Sequence, residues 1–392
     1  MNTHLLKHLL AGLFFFVVLV TAFFGCLPQN KPEKTDPPVA SPGVSPKTPN
    51  EIPRPVTKKE AEDFGLEIET SLAEKDGTVL LRTMDWGAVT DAALANLPEN
   101  REEGKYRRKD MLESLSMSGG VMKYVSDQVK RGGSYHFLRV VKAAGARPGE
   151  QVVLFRFIDP EAGVDYHRLY LSRDATGRIA IREIYLCHHG EAYSESIRRT
   201  LAPELYVGGK TGYGAAMSDV VQAHYRENTQ LIQAMFQAYE NRNYRRALDL
   251  YDDLPKELQE NKAFQIMRLT AAMHMGDPDE YLYVLADLRE KMQGDSCVDF
   301  LSLDYFFARG MFPEVLRSMN RIEEIVGPDP YLNLFRCLAL VNMGMPEDAK
   351  KLYLHSVKLD PRLAEDETFR KFAPPPGDPI YRASRQDDRV TR

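Results

Sequence analysis

Three glycines, Gly276, Gly310 and Gly344, follow one another at a spacing of 34 residues. Each lies between two stretches in which apolar residues recur at helical spacing, and glycine readily adopts the positive φ of a tight turn. A fixed period of this length predicts an array of helix–turn–helix units, in which each unit buries its apolar face only against its neighbours. We therefore expect an extended binding surface rather than a reaction centre.

Four units fit this register, and they begin at Asn228, Lys262, Ser296 and Pro330. The first unit departs from the others because Arg242 occupies its glycine position. Equivalent positions are mostly apolar along the four units. The columns are Met235, Leu269, Leu303 and Cys337 at position 8, Ala247, Tyr281, Val315 and Ala349 at position 20, Tyr251, Leu285, Met319 and Tyr353 at position 24, and Leu254, Leu288, Ile322 and Ser356 at position 27.

These columns give residues 228–363 a resemblance to tetratricopeptide repeats, which carry small or apolar residues at the same positions. Pro361, at position 32 of the last unit, fits the same pattern. The match is degenerate, because no unit has the tryptophan usual at position 4 and only Ala247 and Ala349 supply the alanine at position 20. The resemblance implies paired helices with a concave face that binds a protein or peptide. An irregular helical bundle is the alternative.

The resemblance also implies that the first helix of each unit lines the concave face. Some tetratricopeptide domains clamp a terminal carboxylate with Lys and Asn, but here those positions are mostly apolar, which favours an apolar helix, an extended peptide or the chain's own N-terminal domain as the occupant. If the register is off by one, the same residues belong to the helical core. The predicted partner-binding groove comprises Ile232, Phe236, Tyr239, Ile266, Met273, Phe300, Asp304, Phe307, Tyr331, Leu334, Leu338 and Val341.

The N-terminal segment has the pattern of an export signal. Lys7 precedes the apolar run Leu9–Phe24, which is shorter than the ~20 residues that usually span a bilayer. With Cys26 directly after this segment, the arrangement resembles a bacterial lipoprotein signal, although Phe24 stands where a small residue is usual. The resemblance implies lipidation of Cys26 and, with Leu27 next, attachment to the outer membrane facing the periplasm. An uncleaved single membrane anchor and a cleaved export signal are the alternatives.

Composition divides the rest of the chain into segments. Residues 27–56 hold nine prolines among polar residues and predict an extended tether of up to ~90 Å. The alternative is a disordered spacer with no selected length. The predicted divisions are 1–25 signal peptide, 26–56 tether, 57–205 α+β domain, 206–227 linker and lead-in helix, 228–363 four repeats, 364–372 capping helix and 373–392 disordered tail.

The segment 57–205 predicts an α+β domain. Helical patterns come first, and four runs that alternate with a period of two follow, separated by short turn-like segments. This order predicts a four-stranded antiparallel meander that packs on the preceding helices. The layout loosely resembles the nuclear-transport-factor-2-like and cystatin-like folds, without a diagnostic motif. The predicted strands are Ser134–Lys142, Gln151–Asp159, Val164–Ser172 and Ile179–His188.

The two faces of this meander differ in composition. The predicted core face would pack against helical residues that include Trp86, Val89, Leu94, Met111, Leu115 and Val121. It comprises Leu138, Val140, Val153, Phe155, Phe157, Leu169, Leu171, Ile184 and Leu186.

The opposite face carries Arg139, Arg156 and Arg168 on three strands and Glu183 on the fourth, with Tyr135, Tyr166, Tyr170 and Tyr185 among them. Arginines on neighbouring strands could line an anion- or ligand-binding trough. A solvated sheet face with cross-strand pairs is the simpler interpretation. Docking of this face on the helical array would fit both.

Signals for catalysis are weak. The chain has no glycine-rich phosphate loop, no G-x-S-x-G and no H-E-x-x-H motif. We therefore expect that the protein is not an enzyme and binds no cofactor. Cys187, His188 and His189 adjoin, but neighbours on a strand point to opposite faces and no second ligand pair follows, so no metal site is expected. The net charge of −5, with signs mixed throughout, gives no case for nucleic acid.

Two function classes remain open. The first is a non-enzymatic, envelope-anchored adaptor or scaffold that binds a partner protein through an apolar groove. The second is a ligand-binding or hydrolytic α+β domain for which the repeats serve as a docking module. The predicted repeat array and the absence of catalytic motifs favour the first.

Overall fold

A computed structural model describes residues 54–95, 103–143, 145–160, 163–198, 223–225 and 227–375. The predicted signal peptide, the predicted lipidation site Cys26, and most of the predicted tether, of the predicted linker and lead-in helix and of the predicted C-terminal tail lie outside these residues. Among the residues described, no helix combines the length and the apolar character needed to span a membrane.

The N-terminal layer consists of helices that precede the sheet. The first helix is well specified by the sequence, because Thr57 and Glu60 form a capping box and Phe64, Ile68 and Leu72 recur on one buried face. This face packs on the first two strands. The helices are α1 (Lys58–Ala73), α2 (Thr78–Arg82), α3 (Trp86–Leu94), α4 (Glu103–Ser118) and α5 (Gly120–Lys130).

The sheet has five antiparallel strands in the order of the chain. The prediction of four strands was therefore one strand short, because a two-residue strand too brief to give a period pairs with the end of the fourth. The strands are β1 (Ser134–Val141), β2 (Gln151–Asp159), β3 (Gly163–Arg173), β4 (Ile179–Leu186) and β5 (Glu191–Ala192).

One face of the sheet forms a core with the N-terminal helices, as predicted. The helical residues Trp86, Val89, Leu94, Met111, Leu115 and Val121 all contribute to this core. So do most of the residues predicted on the sheet face, namely Val140, Val153, Phe155, Phe157, Leu169, Leu171, Ile184 and Leu186.

The assignment of two residues on β1 was wrong. A β-bulge between Phe137 and Arg139 reverses the alternation of side chains along this strand. Before the bulge, Tyr135 points into the helix-packed core and stacks on Phe155 with ring centroids 4.5 Å apart. Leu138, predicted in that core, packs instead with the cluster on the other face.

The C-terminal region is mostly helical. Each helix contacts the next one or two along the chain, and short turns connect several pairs. A final short helix buries Phe369 against Tyr353, with ring centroids 5.3 Å apart. The helices are α6 (Thr229–Glu240), α7 (Tyr244–Asp252), α8 (Lys256–Gln259), α9 (Lys262–Met275), α10 (Pro278–Lys291), α11 (Cys297–Ala308), α12 (Phe312–Val326), α13 (Asn333–Asn342), α14 (Pro346–Leu359) and α15 (Glu367–Arg370).

Four turns between these helices share one backbone conformation. Gly276, Gly310 and Gly344 have φ of 71°, 67° and 77°, and Arg242 has φ of 59°. The left-handed conformation therefore persists at the one position of the series where the sequence has no glycine. Because a Cβ atom makes this conformation unfavourable, Arg242 is held there by the helices α6 and α7 on either side.

We expect Arg242→Gly to raise the free energy of unfolding by up to about 1 kcal/mol, since relief of the left-handed penalty exceeds the added freedom of the unfolded chain. Urea denaturation followed by circular dichroism would measure the change. Gly276→Ala is the matched opposite, because its added Cβ would meet nothing within 4 Å and tests the backbone alone. A lower stability of Arg242→Gly would contradict this account.

Candidate functional site

The sheet face opposite the first core docks on the helical region. Arg168 on β3 donates to the carbonyl of Ile325, and Arg139 on β1 donates to the carbonyls of Val326 and, at 2.7 Å, Pro328. The carbonyls of Ile325 and Val326 lie at the C-terminus of α12, where they lack helical partners and carry partial negative charge, and Pro328 follows two residues after Val326. Two arginines of the sheet thus cap a helix of the C-terminal region.

A buried ion pair lies beside this helix end. Arg156 on β2 donates from Nη1 to Oδ1 of Asp329 at 2.6 Å, and the two residues are 1% and 3% exposed. The same carboxylate accepts the hydroxyl of Tyr166 at 2.7 Å and the backbone N–H of Tyr331 at 3.1 Å. The guanidinium also lies 4.7 Å from the centroid of the Tyr331 ring. Each of the two buried charges is therefore compensated by the opposite charge and by hydrogen bonds, as burial requires.

The Tyr166 hydroxyl is a dependable donor in this network. Burial raises its pKa well above the ordinary value, and the neighbouring charge of Asp329 acts in the same direction. Tyr166 is therefore protonated at neutral pH and donates to Asp329.

Apolar side chains surround the ion pair and join the two regions. Tyr166 and Phe300 lie with ring centroids 6.3 Å apart across the contact. One cluster contains Leu154, Tyr166 and Cys187 from the sheet together with Phe300, Leu303, Phe307, Tyr331 and Leu334 from the helices. The contact is thus packed like a core.

The turn between β4 and β5 makes a second contact, with the N-terminus of α11. The ring of His188 stacks on Phe300, with centroids 5.9 Å apart and planes at 26°. Gly190 has φ of 63°, and a Cβ there would lie 2.6 Å from Oδ1 of Asp295. Only a glycine permits so close an approach of this turn to the helix.

A third contact lies at the far end of the helical region. Arg362 donates from Nη1 to Oε1 of Glu69 on α1 at 2.9 Å, and Glu69 also lies 2.9 Å from Nδ1 of His136 on β1. Arg362 pairs with Asp360 as well, at 2.8 Å. The sheet and α1 therefore meet the helices along their length from α11 to residue 362.

A buried polar group accompanies the β4–β5 turn. Asp165 accepts the backbone N–H of His188 at 2.8 Å and lies 3.1 Å from Nε2 of His167, whose Nδ1 is 3.1 Å from the hydroxyl of Tyr135. Burial alone would raise the pKa of Asp165, but the hydrogen bond with His167 holds it below its usual value. His167 is fully buried, so this chain of groups orders the turn and offers no access to a substrate.

The predicted groove is not a continuous open surface. Among the described residues, its exposed member is Val341, 42% exposed, and Phe236, Met273 and Leu338 are half-buried. The side chain of Asp304 lies outside the described part. The buried members are Ile232, Tyr239, Ile266, Phe300, Phe307, Tyr331 and Leu334.

Two different causes bury these side chains. Phe300 packs against Tyr166 and His188, and Tyr331 lies beneath Arg156, so the chain's own domain covers these two side chains. Leu334 belongs to the same cluster. Ile232 and Ile266 belong to a separate cluster within the helices, as they would if the register of the groove were shifted. The prediction of one long groove open to a partner does not hold for these residues.

The predicted ligand face is not an open trough either. Arg139, Arg156 and Arg168 are brought together, but all three bind the helical region. Glu183 does not join them and hydrogen-bonds Ser194 instead. Burial raises the pKa of Glu183.

No sequence pattern singled out Asp329, the residue at the centre of the contact. One signal was present. Arg156 interrupts the strand Val152–Phe157, which is otherwise apolar on both faces, and a charge there requires a buried partner.

An open groove of about 1040 Å³ lies beside α3, and no pattern in the sequence indicated it. Trp86 and Ile179 line it together with several acidic residues. The acids are already engaged by partners in the chain. The pairings are Glu60 with Arg173, Asp63 with Lys59, Glu67 with Arg82, Asp85 with the backbone of Ala88, and Asp174 with Arg178.

Cys187, Cys297 and Cys337 are buried and unbridged among the described residues. Burial raises the pKa of each thiol, which makes all three poor nucleophiles. Within the same part of the chain, no group of three His, Cys, Asp or Glu side chains is placed to hold a metal ion.

Comparison of the chain with protein-family models, with curated proteins and with solved structures finds no match. The most distinctive feature of the described chain is the docked interface around Asp329.

We expect Asp329→Ala to lower the free energy of unfolding by about 3–5 kcal/mol, because it leaves the buried Arg156 charge without its main partner. Urea denaturation at neutral pH would measure this loss. The matched control is Asp348→Ala, which removes an exposed pair with Lys351 at 3.2 Å and should cost less than about 1 kcal/mol. Equal losses in the two variants would contradict a central role for Asp329.

Proposed function

We propose that the chain is a non-enzymatic adaptor of the bacterial cell envelope, which binds another protein or a peptide through its helical region. The observation that carries this proposal is the left-handed turn that recurs every 34 residues, at Arg242, Gly276, Gly310 and Gly344. Turns of one geometry at one spacing favour a degenerate tetratricopeptide-like array over an irregular bundle. Such arrays act by presenting surfaces to partners.

The helices around these turns support the same interpretation. Each turn joins a pair of contacting helices, α6 with α7, α9 with α10, α11 with α12, and α13 with α14. The short α8 lies between the first two pairs, and a short 3₁₀ helix, Pro330–Leu332, lies between the last two. The second pair begins as the sequence indicates, with Asp277 as N-cap and Pro278 at the first helical position.

The partner surface proposed is smaller than the groove drawn from the sequence. The sheet covers residues of the third and fourth units, whereas Phe236 on α6 and Met273 on α9 are only half-buried. A phenylalanine and a flexible methionine suit an apolar helix or an extended apolar peptide. We place partner binding on α6 and α9, the first helices of the first two pairs.

The membrane enters the proposal through the N-terminal segment. Lipidation of Cys26 would attach the protein to the outer membrane, facing the periplasm, and residues 27–56 would hold the folded part up to ~90 Å away. A single uncleaved anchor is the alternative. Either arrangement lets the helical region reach partners away from its own point of attachment.

The second function class, a ligand-binding or hydrolytic α+β domain, has less support. Its predicted ligand face is occupied, because Arg139, Arg156 and Arg168 already bind helical carbonyls or Asp329. The groove beside Trp86 is open, but its acids have partners in the chain. Among the described residues, the groove therefore contains no acidic side chain that is left to bind a ligand.

Crosslinking and mass spectrometry of the protein in its own membrane fraction would test the adaptor. We expect the double variant Phe236→Gln, Met273→Gln to give at least a ten-fold lower yield of crosslinked partner. The reason is that polar groups replace the apolar contacts while helix propensity is retained.

Tyr283→Gln is the control, since this residue on α10 is 65% exposed and lies outside the proposed surface. It should crosslink as the wild type does, and circular dichroism should show the same helix content for all three proteins. Undiminished crosslinking of the double variant would refute the proposed surface, and crosslinks concentrated around Trp86 would favour the ligand-binding alternative.

A further inference from the structure

Two adjacent histidines lie where the sheet meets the helical region. His188 and His189 form the turn between β4 and β5, and His189 is 4% exposed. His188 stacks on Phe300 of α11, while its backbone N–H donates to Asp165. Both imidazoles are therefore held at a contact between two parts of the chain.

Charged and titratable groups face this turn from every side. Asp165 and His167 approach from β3. The charge of Lys262, at the start of α9, lowers the pKa of His189. Lys262 also pairs with Asp295, which precedes α11, at 2.6 Å. Glu191 follows on β5 and accepts the hydroxyl of Ser196 at 2.6 Å. Asp165 is thus the main acid facing the histidines, and it is already engaged with His167.

The closed interface disfavours the charged form of both imidazoles. Burial lowers the pKa of His188 and lowers that of His189 to about 3. His167 opposes the charge on both, and Lys262 opposes it on His189, whereas Asp165 favours it. At neutral pH the two side chains are neutral and packed.

We propose that the β4–β5 turn makes the docking of the sheet on the helices sensitive to acid. Protonation of His188 and His189 in mild acid favours separation of the β4–β5 turn from α11, while the N-terminal α+β core and the helix pairs stay folded. The consequence is a conformational change of the adaptor that exposes Phe300 and the sheet face. This inference does not depend on the proposed partner surface.

The direction follows from where protons bind. In the separated state the histidines are solvated and titrate near pH 6.5, whereas in the docked state the pKa of His189 is about 3. Docking is therefore most stable above pH 6.5 and weakens as the pH falls towards 3. Between pH 7 and pH 5 the opening constant should rise roughly 25-fold from His189 alone, and protonation of His188 should add to this rise.

The main acid that faces the histidines acts outside this range. The pKa of Asp165 is held below its usual value of 3.8, so Asp165 stays ionised between pH 7 and pH 5. A rise of opening in that window is therefore not caused by protonation of Asp165, and the histidine variants assign it.

Two buried cysteines can measure opening in the full-length chain. Both belong to the cluster that the sheet shares with the helices. Cys187 lies directly before His188, whereas Cys337 lies on α13 and donates to the carbonyl of Ala349 on α14 at 3.3 Å. Labelling with a dipyridyl disulfide, resolved by peptide mass spectrometry, would give a rate for each. Division by the rate in urea-unfolded chain at the same pH gives an opening constant.

We expect the opening constant of Cys187 to rise at least 25-fold from pH 7 to pH 5, with little change at Cys337. The double variant His188→Gln, His189→Gln should remove most of this rise. His355→Gln, an exposed histidine on α14, should leave it unchanged.

If the double variant does not fold, His188→Gln alone should lower the rise to that of one histidine. A flat profile in the wild type, an equal rise in a folded histidine variant, or a rise at Cys337 in step with Cys187 would overturn the proposal. The last result would mean global unfolding in place of separation at the interface.

Discussion

The arrangement of the two regions depends on one buried carboxylate. Asp329 follows α12, caps the next helical turn through the N–H of Tyr331, and accepts from Arg156 and Tyr166 of the sheet. A buried charge of either sign without the other would be strongly unfavourable, so the pair forms only when both regions are correctly placed. Apolar packing supplies most of the stabilising area around it, whereas the ion pair specifies the orientation.

Much of the secondary structure could be predicted from the sequence, because it depends on local signals. The period of two located four strands to within about two residues, and the glycine period located three turns. Local patterns could not show the bulge at Phe137–Arg139, since a single extra residue reverses side-chain direction without altering composition. They also gave no sign of β5, which is two residues long.

The candidate site was harder to predict, because it arises from contacts between distant parts of the chain. Arg156 and Asp329 are 173 residues apart, and neither position has a local motif that names the other. Apolar residues at repeat positions look the same whether a partner, a neighbouring helix or the chain's own sheet covers them. Phe300 and Ile266 were therefore placed in one groove, although the sheet covers the first and helices cover the second.

Solenoids built from repeats usually tolerate gain or loss of a unit, because each unit contacts only its neighbours. Here the sheet reaches α11 through the β4–β5 turn, the end of α12 through its arginines, and residue 362 through α1. These three contacts fix the sheet and α1 to three separate positions along the helical region. Insertion of one more helix pair between α11 and residue 362 would misalign them, so the sheet restricts the number of helix pairs that this part of the chain can contain.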